Sequence, residues 1–289
     1  MSLPTLGFAG LGRMGGPLSR RLVEAGYAVV GFDAAGTAER LPAGATAAGS
    51  IEELARQTDT LFLSVPDGAV SRTICGQIAA TADCRTGTVV DLSTIGIAAA
   101  RGCADLLNAA GVAYVDAPVS GGVAGAISGS LAMMVGAPAT LFEELEPALA
   151  VLARHRFRVG DVPGQGQAMK LLNNYVSAAA LAATCEATVF GERLGLDLAK
   201  MVDVLNVSSG RSAASQDKFP RSVIPHTYDF GFAGALMTKD VSLYLENAEA
   251  ANVPHDLAKG VAGLWQRFNA AHPSADFTYL HRYLEDGGV

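Results

Sequence analysis

From residue 5 to about residue 160 the chain repeats one rhythm: a short apolar run, then a stretch where apolar residues recur every three or four positions. The runs Thr5–Ala9, Ala28–Phe32, Thr60–Val65, Thr88–Asp91, Tyr114–Asp116, Ala132–Val135 and Phe157–Val159 predict strands. Because they are near-continuously apolar and separated by helical patterns, they predict a mostly parallel sheet covered on both faces. Ser50-Ile51-Glu52-Glu53 reads as a capping box, and Pro138 suits the first turn of another helix. The rhythm stops at Gly160-Asp161-Val162-Pro163-Gly164-Gln165-Gly166, where a long helical pattern begins, Gln167 to about Gly195. After Met169 no strand alternation is convincing. The expected fold class is therefore α/β: a doubly wound domain over residues 1–162, then an all-helical domain over 163–289.

The first strand runs into Gly7-Phe8-Ala9-Gly10-Leu11-Gly12-Arg13-Met14-Gly15. Gly10, Gly12 and Gly15 have the G-x-G-x-x-G spacing of a dinucleotide-binding Rossmann turn. Gly10 permits the tight strand-to-helix turn, Gly12 lets a pyrophosphate approach the backbone, and Gly15 allows close helix–strand packing. Leu11, Arg13 and Met14 complete this cofactor-binding turn, and the following helix offers unpaired N–H groups to phosphate. The second strand ends in Asp33, where a carboxylate can accept the adenosine ribose hydroxyls; the other reading is a turn-forming aspartate. No arginine follows before Arg40, and an acid repels a 2′-phosphate, so NAD is expected over NADP.

Composition narrows the setting. Among 289 residues, 21 Lys and Arg face 28 Asp and Glu, a net charge of −7 that argues against a nucleic-acid or anionic-membrane partner. Met1-Ser2-Leu3-Pro4 shows no secretory leader, and the Ala-rich Val176–Cys185 is shorter than the about 20 apolar residues a membrane span needs. Cys75, Cys84, Cys103 and Cys185 have neither metal nor redox spacing, so they read as reduced thiols of a cytoplasmic protein. The five histidines form no metal motif, and no metal site is expected.

The long helix holds the sharpest local anomaly. Leu171 to Cys185 carries no charge and is expected to be buried on most sides. Lys170 opens that stretch, and Asn174, one turn on, shares its helix face. A lysine beside an apolar helix either lines a cleft or snorkels to solvent, and the helix by itself leaves both open. Asp116-Ala117-Pro118-Val119-Ser120-Gly121-Gly122 follows a predicted strand, and ligands of α/β sheets bind outside the carboxyl ends of strands. Successive N–H groups of a Ser-Gly-Gly turn, with the serine hydroxyl, can receive a carboxylate; a plain glycine turn is the other reading.

The order of these motifs resembles the β-hydroxyacid dehydrogenase family, to which the 3-hydroxyisobutyrate dehydrogenases belong. It is carried by the glycine turn, Asp91-Leu92-Ser93-Thr94-Ile95, Asp116 to Gly122, Gly166-Gln167-Ala168-Met169-Lys170-Leu171-Leu172-Asn173-Asn174, and Lys239-Asp240. The resemblance implies a catalytic Lys170, with Asn174 helping to hold the substrate and Ser120, Gly121 and Gly122 gripping its carboxylate. It also implies that Val65, Pro66, Thr94 and Lys239 line the cofactor; without it, Lys239-Asp240 reads as an exposed charged pair. The implied reaction moves hydride between NAD and a small hydroxy acid while Lys170 takes or returns the hydroxyl proton. A lysine with its ordinary pKa of about 10.4 needs burial or a neighbouring cation to do so near neutrality.

NADP-preferring relatives tend to carry an Asn-Arg pattern where this chain has Asp33-Ala34. Pro163 departs from the small aliphatic residue common in relatives. Ser208-Ser209-Gly210-Arg211-Ser212 and Phe230-Gly231-Phe232 are candidates for the substrate wall, and Arg211 for meeting a second anionic group. Alternatives in the same class are a tartronate semialdehyde reductase or a dehydrogenase of serine, threonate or sulfonated acids. Imine reductases share the architecture but usually replace the lysine, so Lys170 argues against one. A non-catalytic dinucleotide-binding scaffold is disfavoured for the same reason. The resemblance also implies a homodimer or homotetramer with the long helix and the helical domain at the interface.

Overall fold

In the computed structural model, which describes residues 3–288, the first strand shows how the sheet is built. β1 (Leu6–Ala9) alternates, sending Leu6 and Phe8 into one apolar core and Ala9 into the core on the opposite face. Met1 and Ser2 of the leader reading lie outside the described residues. The chain continues through α1 (Gly15–Glu24), β2 (Val29–Phe32), β3 (Thr46–Ala47), α2 (Ile51–Gln57), β4 (Thr60–Leu63), α3 (Gly68–Ala79) and β5 (Thr88–Asp91). Then come α4 (Ile97–Asn108), β6 (Ala113–Asp116), β7 (Val119–Ser120), α5 (Gly122–Ser128), β8 (Ala132–Gly136), α6 (Ala139–Leu152) and β9 (His155–Gly160).

The sheet order is β3-β2-β1-β4-β5-β6-β8-β7, with β9 paired to β8. β3 through β6 are parallel neighbours, whereas β8 runs antiparallel to β6 and β7 and parallel to β9. One face buries Phe8, Phe62, Val90 and Val115 under Leu18 and Leu22 of α1, Ala126 of α5, and Leu149 and Leu152 of α6. The other buries Val30, Leu61, Leu63 and Val89 under Leu54 of α2, Ile74 and Ile78 of α3, and Leu107 of α4. Burial on both faces is why these strands are apolar throughout.

The expected doubly wound α/β sheet is thus present, with local differences. β3 and β7 have two residues each, too short for any periodicity to show. β9 is longer than its predicted core because it is an edge strand whose His155, Arg156 and Arg158 dilute the apolar signal. Pro138 caps α6 from outside instead of occupying its first turn. At α2 the Glu53 N–H donates to Ser50 Oγ at 3.1 Å, but the Glu53 carboxylate reaches back to the Gly49 N–H at 2.7 Å, one residue further than the capping-box pattern.

By contacts the chain divides into two compact units, one ending at Lys170 and one beginning at Leu171. Composition alone puts the change of character at 162/163, because α7 (Gln165–Arg193) starts there and runs through the division unbroken. The second unit continues with α8 (Leu198–Asn206), a widely wound π-type segment Ala214–Val223, α9 (Gly234–Ala250), α10 (Asp256–Ala271), a 3-10 turn Phe277–Tyr279 and α11 (Leu280–Glu285). Its core gathers Leu181, Cys185, Phe219, Trp265, Phe268 and Leu280. Asp276 ties its loops together by accepting from the N–H groups of Gly231, Phe232 and Thr278. No strand occurs in it among the described residues, and no helix there is long and apolar enough to cross a membrane.

The uncharged run of α7 is buried or half-buried apart from one exposed stripe. Leu171, Ala178, Leu181 and Cys185 are buried, but Leu172 and Val176 are 48% and 57% exposed, so absence of charge here marks an open apolar face as well as a core face. For the fold itself, Ser50→Ala should cost about 1 kcal/mol of stability by orphaning the Glu53 N–H, read as a lower urea midpoint at unchanged slope.

Candidate active site

The glycine turn leaves β1 at the C-terminal edge of the sheet, and each glycine has a distinct reason. Gly10, at φ +89°, donates its N–H to Phe32 O, and a Cβ there would sit 2.2 Å from Ser64 O. At Gly15 a Cβ would fall 1.8 Å from Gly10 O, so the turn closes only without one. Gly12 differs: nothing lies within 4 Å of its Cβ direction, which leaves open the cradle a pyrophosphate needs. Leu11 is buried, Met14 is half-buried, and Gly12 and Arg13 are exposed.

Asp33, at the end of β2, turns back onto this loop. One carboxylate oxygen accepts the Leu11 N–H at 2.7 Å, and the other accepts the Ala35 N–H at 2.8 Å. Arg40, the first arginine after Asp33 in the sequence, reaches that second oxygen at 3.2 Å. The acid is therefore accompanied by a base, which the spacing of residues 33–40 did not reveal.

The next strands end in a buried polar network. At the end of β5, Asp91 accepts from Ser71 Oγ, Tyr114 OH and the Ser93 N–H. Ser93 Oγ in turn accepts the Val65 N–H after β4 at 2.8 Å. This joins the predicted cofactor positions Val65-Pro66 and Thr94 on adjacent strand ends, with Pro66 exposed and Val65 and Thr94 half-buried. Asp116, beside Asp91 in the register and wholly buried, accepts the Gly164 N–H at 2.9 Å and the Gln167 N–H at 2.7 Å. Gln167 accepts from the Ile95 and Gly96 N–H groups and donates to Ser93 O. The first turn of α7 is thereby fastened to the ends of β5 and β6, and Lys170, three residues on, is 7% exposed.

Burial raises the Asp91 carboxyl above the usual carboxylate range against the pull of its hydrogen bonds. It pushes Asp116 up to about 6, opposed by the Gly164 and Gln167 N–H groups and reinforced by Asp91. Ser120 lies in β7, not in a plain turn, and Gly121 and Gly122 form its junction with α5 at φ +130° and +64°. Both glycines are exposed and adopt conformations that side chains disfavour.

In the second unit, buried Asn174 donates from Nδ2 to Asp240 Oδ2 at 2.6 Å and accepts from Asn173. Asp240 Oδ1 stands 3.5 Å from the Lys239 ammonium. Lys239-Asp240 is therefore not an exposed surface pair: Asp240 is 3% exposed and links the predicted residues Asn174 and Lys239. Tyr175 and Tyr244 stack beside them at 4.1 Å.

Comparison with known proteins fits this arrangement. Residues 5–160 match the family model described as the NAD binding domain of 6-phosphogluconate dehydrogenase. Residues 164–284 match that described as NAD-binding of NADP-dependent 3-hydroxyisobutyrate dehydrogenase. A probable 3-hydroxyisobutyrate dehydrogenase of Mycobacterium tuberculosis is 36% identical over 288 residues, 96% of each chain. The chain belongs to the β-hydroxyacid dehydrogenase family. A 2-(hydroxymethyl)glutarate dehydrogenase of Eubacterium barkeri is also 36% identical, over 86% of this chain and 84% of that one. The solved M. tuberculosis 3-hydroxyisobutyrate dehydrogenase with L-serine superposes with a TM-score of 0.90 at 33% identity, covering 98% of this chain and 99% of that one. As a β-hydroxyacid dehydrogenase the chain is an NAD(P)-dependent enzyme of a small hydroxy acid.

Reading residues alone missed what Asp91, Asp116, Gln167 and Asp240 do for this β-hydroxyacid dehydrogenase. All four stand inside the motifs, yet the partners that define their roles include ones 48 to 74 residues away, which no local spacing announces. Asp116 also generates a pH dependence. Its folded pKa, about 6, lies above the ordinary 3.8, so its ionisation removes stability as pH rises through that window. Over it, Asp116→Asn should gain about 3 kcal/mol relative to the unmodified chain. Urea unfolding at stepped pH measures the difference, and a flat one contradicts the assignment.

Proposed function

We propose that this enzyme oxidises a β-hydroxy acid of the 3-hydroxyisobutyrate kind, or reduces the corresponding aldehyde acid, with NAD as the preferred cofactor. The observation that carries the reading is the fastened start of α7, which holds a lysine at 7% exposure three residues beyond the Gln167 lock. Residues 1–162 serve as the dinucleotide-binding domain and residues 163–289 as the substrate and oligomerisation domain.

Gly10, Leu11, Gly12, Arg13, Met14 and Gly15 hold the pyrophosphate, Asp33 the ribose, and Val65, Pro66, Thr94 and Lys239 line the cofactor, the last two near its nicotinamide end. The open Cβ direction of Gly12 and the carboxylate at the end of β2 fit that group. When bound, the nicotinamide supplies the hydride acceptor or donor. Lys170 takes the hydroxyl proton in oxidation and returns it in reduction. Ser120 with the Gly121 and Gly122 backbone receives the carboxylate, and Asn174, oriented by Asp240, holds the alcohol end. Their contribution is orientation of the reacting carbon.

NAD is preferred because the Asp33 carboxylate faces where a 2′-phosphate would enter, while Arg40 beside it moderates the preference. Exposed Leu172, Val176 and Phe190 along α7 support a homodimer or homotetramer, and cytoplasmic residence accords with four free cysteines.

Lys170→Ala should lower turnover of 3-hydroxyisobutyrate by about 10²- to 10⁴-fold while NAD titration shows nearly unchanged binding. Retained turnover refutes the acid–base role. Asp33→Ala should shift the NAD-to-NADP ratio of kcat/KM toward NADP by about tenfold, the scale of one hydrogen bond to a charged group. An unchanged ratio refutes the ribose contact.

A further inference from the structure

Two lysines are buried among the described residues, Lys170 and Lys218, each 7% exposed. Lys218 has no part in the chemistry above. It lies in the π-type segment Ala214–Val223 of the second unit, between buried Ser215 and Phe219 and buried Ser222. Such wide turns are rare and recur at functional sites.

Its surroundings do not satisfy a cation. Among the described residues no carboxylate is within ion-pair distance, and its neighbour Asp217 is committed to Arg221 at 3.1 Å. The ammonium meets only the rings of Phe230 and Phe277, each 5.9 Å from the centroid, at the outer edge of cation–π range. Arg221 stacks on the same Phe230 ring at 4.6 Å, while Asp217, its ion-pair partner, is the one charge that partly offsets burial at Lys218. Burial pulls the Lys218 ammonium below the ordinary lysine range. An arriving anion would pair with the Lys218 ammonium and restore what burial removes.

Phe230 belongs to the segment read from the sequence as substrate wall. Arg211, read as a candidate for a second anionic group, is exposed on its loop, whereas Lys218 is buried beside Phe230 of that candidate wall. The two curated relatives above, equally identical to this chain, are named for acids that share a hydroxymethyl group beside a carboxylate. They differ in that 2-(hydroxymethyl)glutarate adds a second carboxylate on a two-carbon arm.

We propose that Lys218 receives the second carboxylate of a dicarboxylic β-hydroxy acid, making the diacid the preferred substrate class of this enzyme. The inference rests on the β-hydroxy acid reading given above. It narrows the substrate to one whose far end is anionic, and it makes residue 218 a binding residue with no role in proton transfer.

The test compares kcat/KM for 2-(hydroxymethyl)glutarate and 3-hydroxyisobutyrate in the full chain, Lys218→Met and Lys218→Arg. The diacid-to-monoacid ratio should fall about tenfold or more in Lys218→Met and recover in Lys218→Arg, the scale of a hydrogen bond between charged groups. A ratio unmoved by Lys218→Met overturns the proposal. Calorimetric titration with glutarate and with butyrate, neither of which bears a hydroxyl, reads the same residue without turnover. Glutarate should bind the unmodified chain about tenfold more tightly than butyrate, and lose that advantage in Lys218→Met. Equal affinities in the unmodified chain overturn the proposal even if the variant fails to fold. A chain that turns over neither acid but binds glutarate through Lys218 defeats the proposed substrate reading above and leaves the anion site standing.

Discussion

A helix that starts against the interior of a sheet brings unpaired N–H groups where water cannot reach them, and α7 starts in such a place. The wholly buried Asp116 carboxylate meets that constraint by accepting from Gly164 and Gln167. The approach is close enough to dictate neighbouring residues: a Cβ at Gly136 would lie 2.5 Å from Asp116 Oδ1, and one at Gly166 would lie 2.7 Å from Asp116 O. The Gln167 amide completes the anchor with three hydrogen bonds to the segment after β5. Burying an ionisable group costs free energy, as its raised pKa records, and the return is a defined starting point for the helix that carries Lys170.

The second unit solves a similar problem with another buried acid. Asp240 accepts from Asn174 and stands against the Lys239 ammonium, so that one carboxylate orients an amide and accompanies a cation. Here the acid sits on α9 and its amide partner on α7, which makes their relative rotation part of the site. Lys218 shows the opposite arrangement, a buried cation with aromatic rings in place of an acid.

What could be read from the chain follows from the range of the interactions involved. The glycine turn and the strands of the parallel sheet are legible because their requirements are local: a missing Cβ, a run of apolar residues, a cap three positions away. Lys170 is legible as an anomaly at the edge of an uncharged helix. By contrast, Asp116 and Asp240 look like ordinary acids until folding supplies partners 48 and 66 residues away. Arg40 stands seven residues beyond Asp33 in the chain, yet the turn after β2 folds it back onto that acid. The one exposed stripe of α7 is not legible, since an uncharged sequence does not distinguish a core face from an open one.

The hydrogen bond from the Leu11 N–H to Asp33 joins two parts of the nucleotide site that are usually treated as separate. The residue proposed to read the sugar also braces the loop proposed to cradle the phosphates, so under that proposal cofactor choice and cofactor affinity share one side chain. Exchanging that acid to admit a phosphorylated ribose unties the loop at the same stroke. A redesign of cofactor preference in this chain must therefore provide a new acceptor for Leu11 before it provides a new partner for the phosphate.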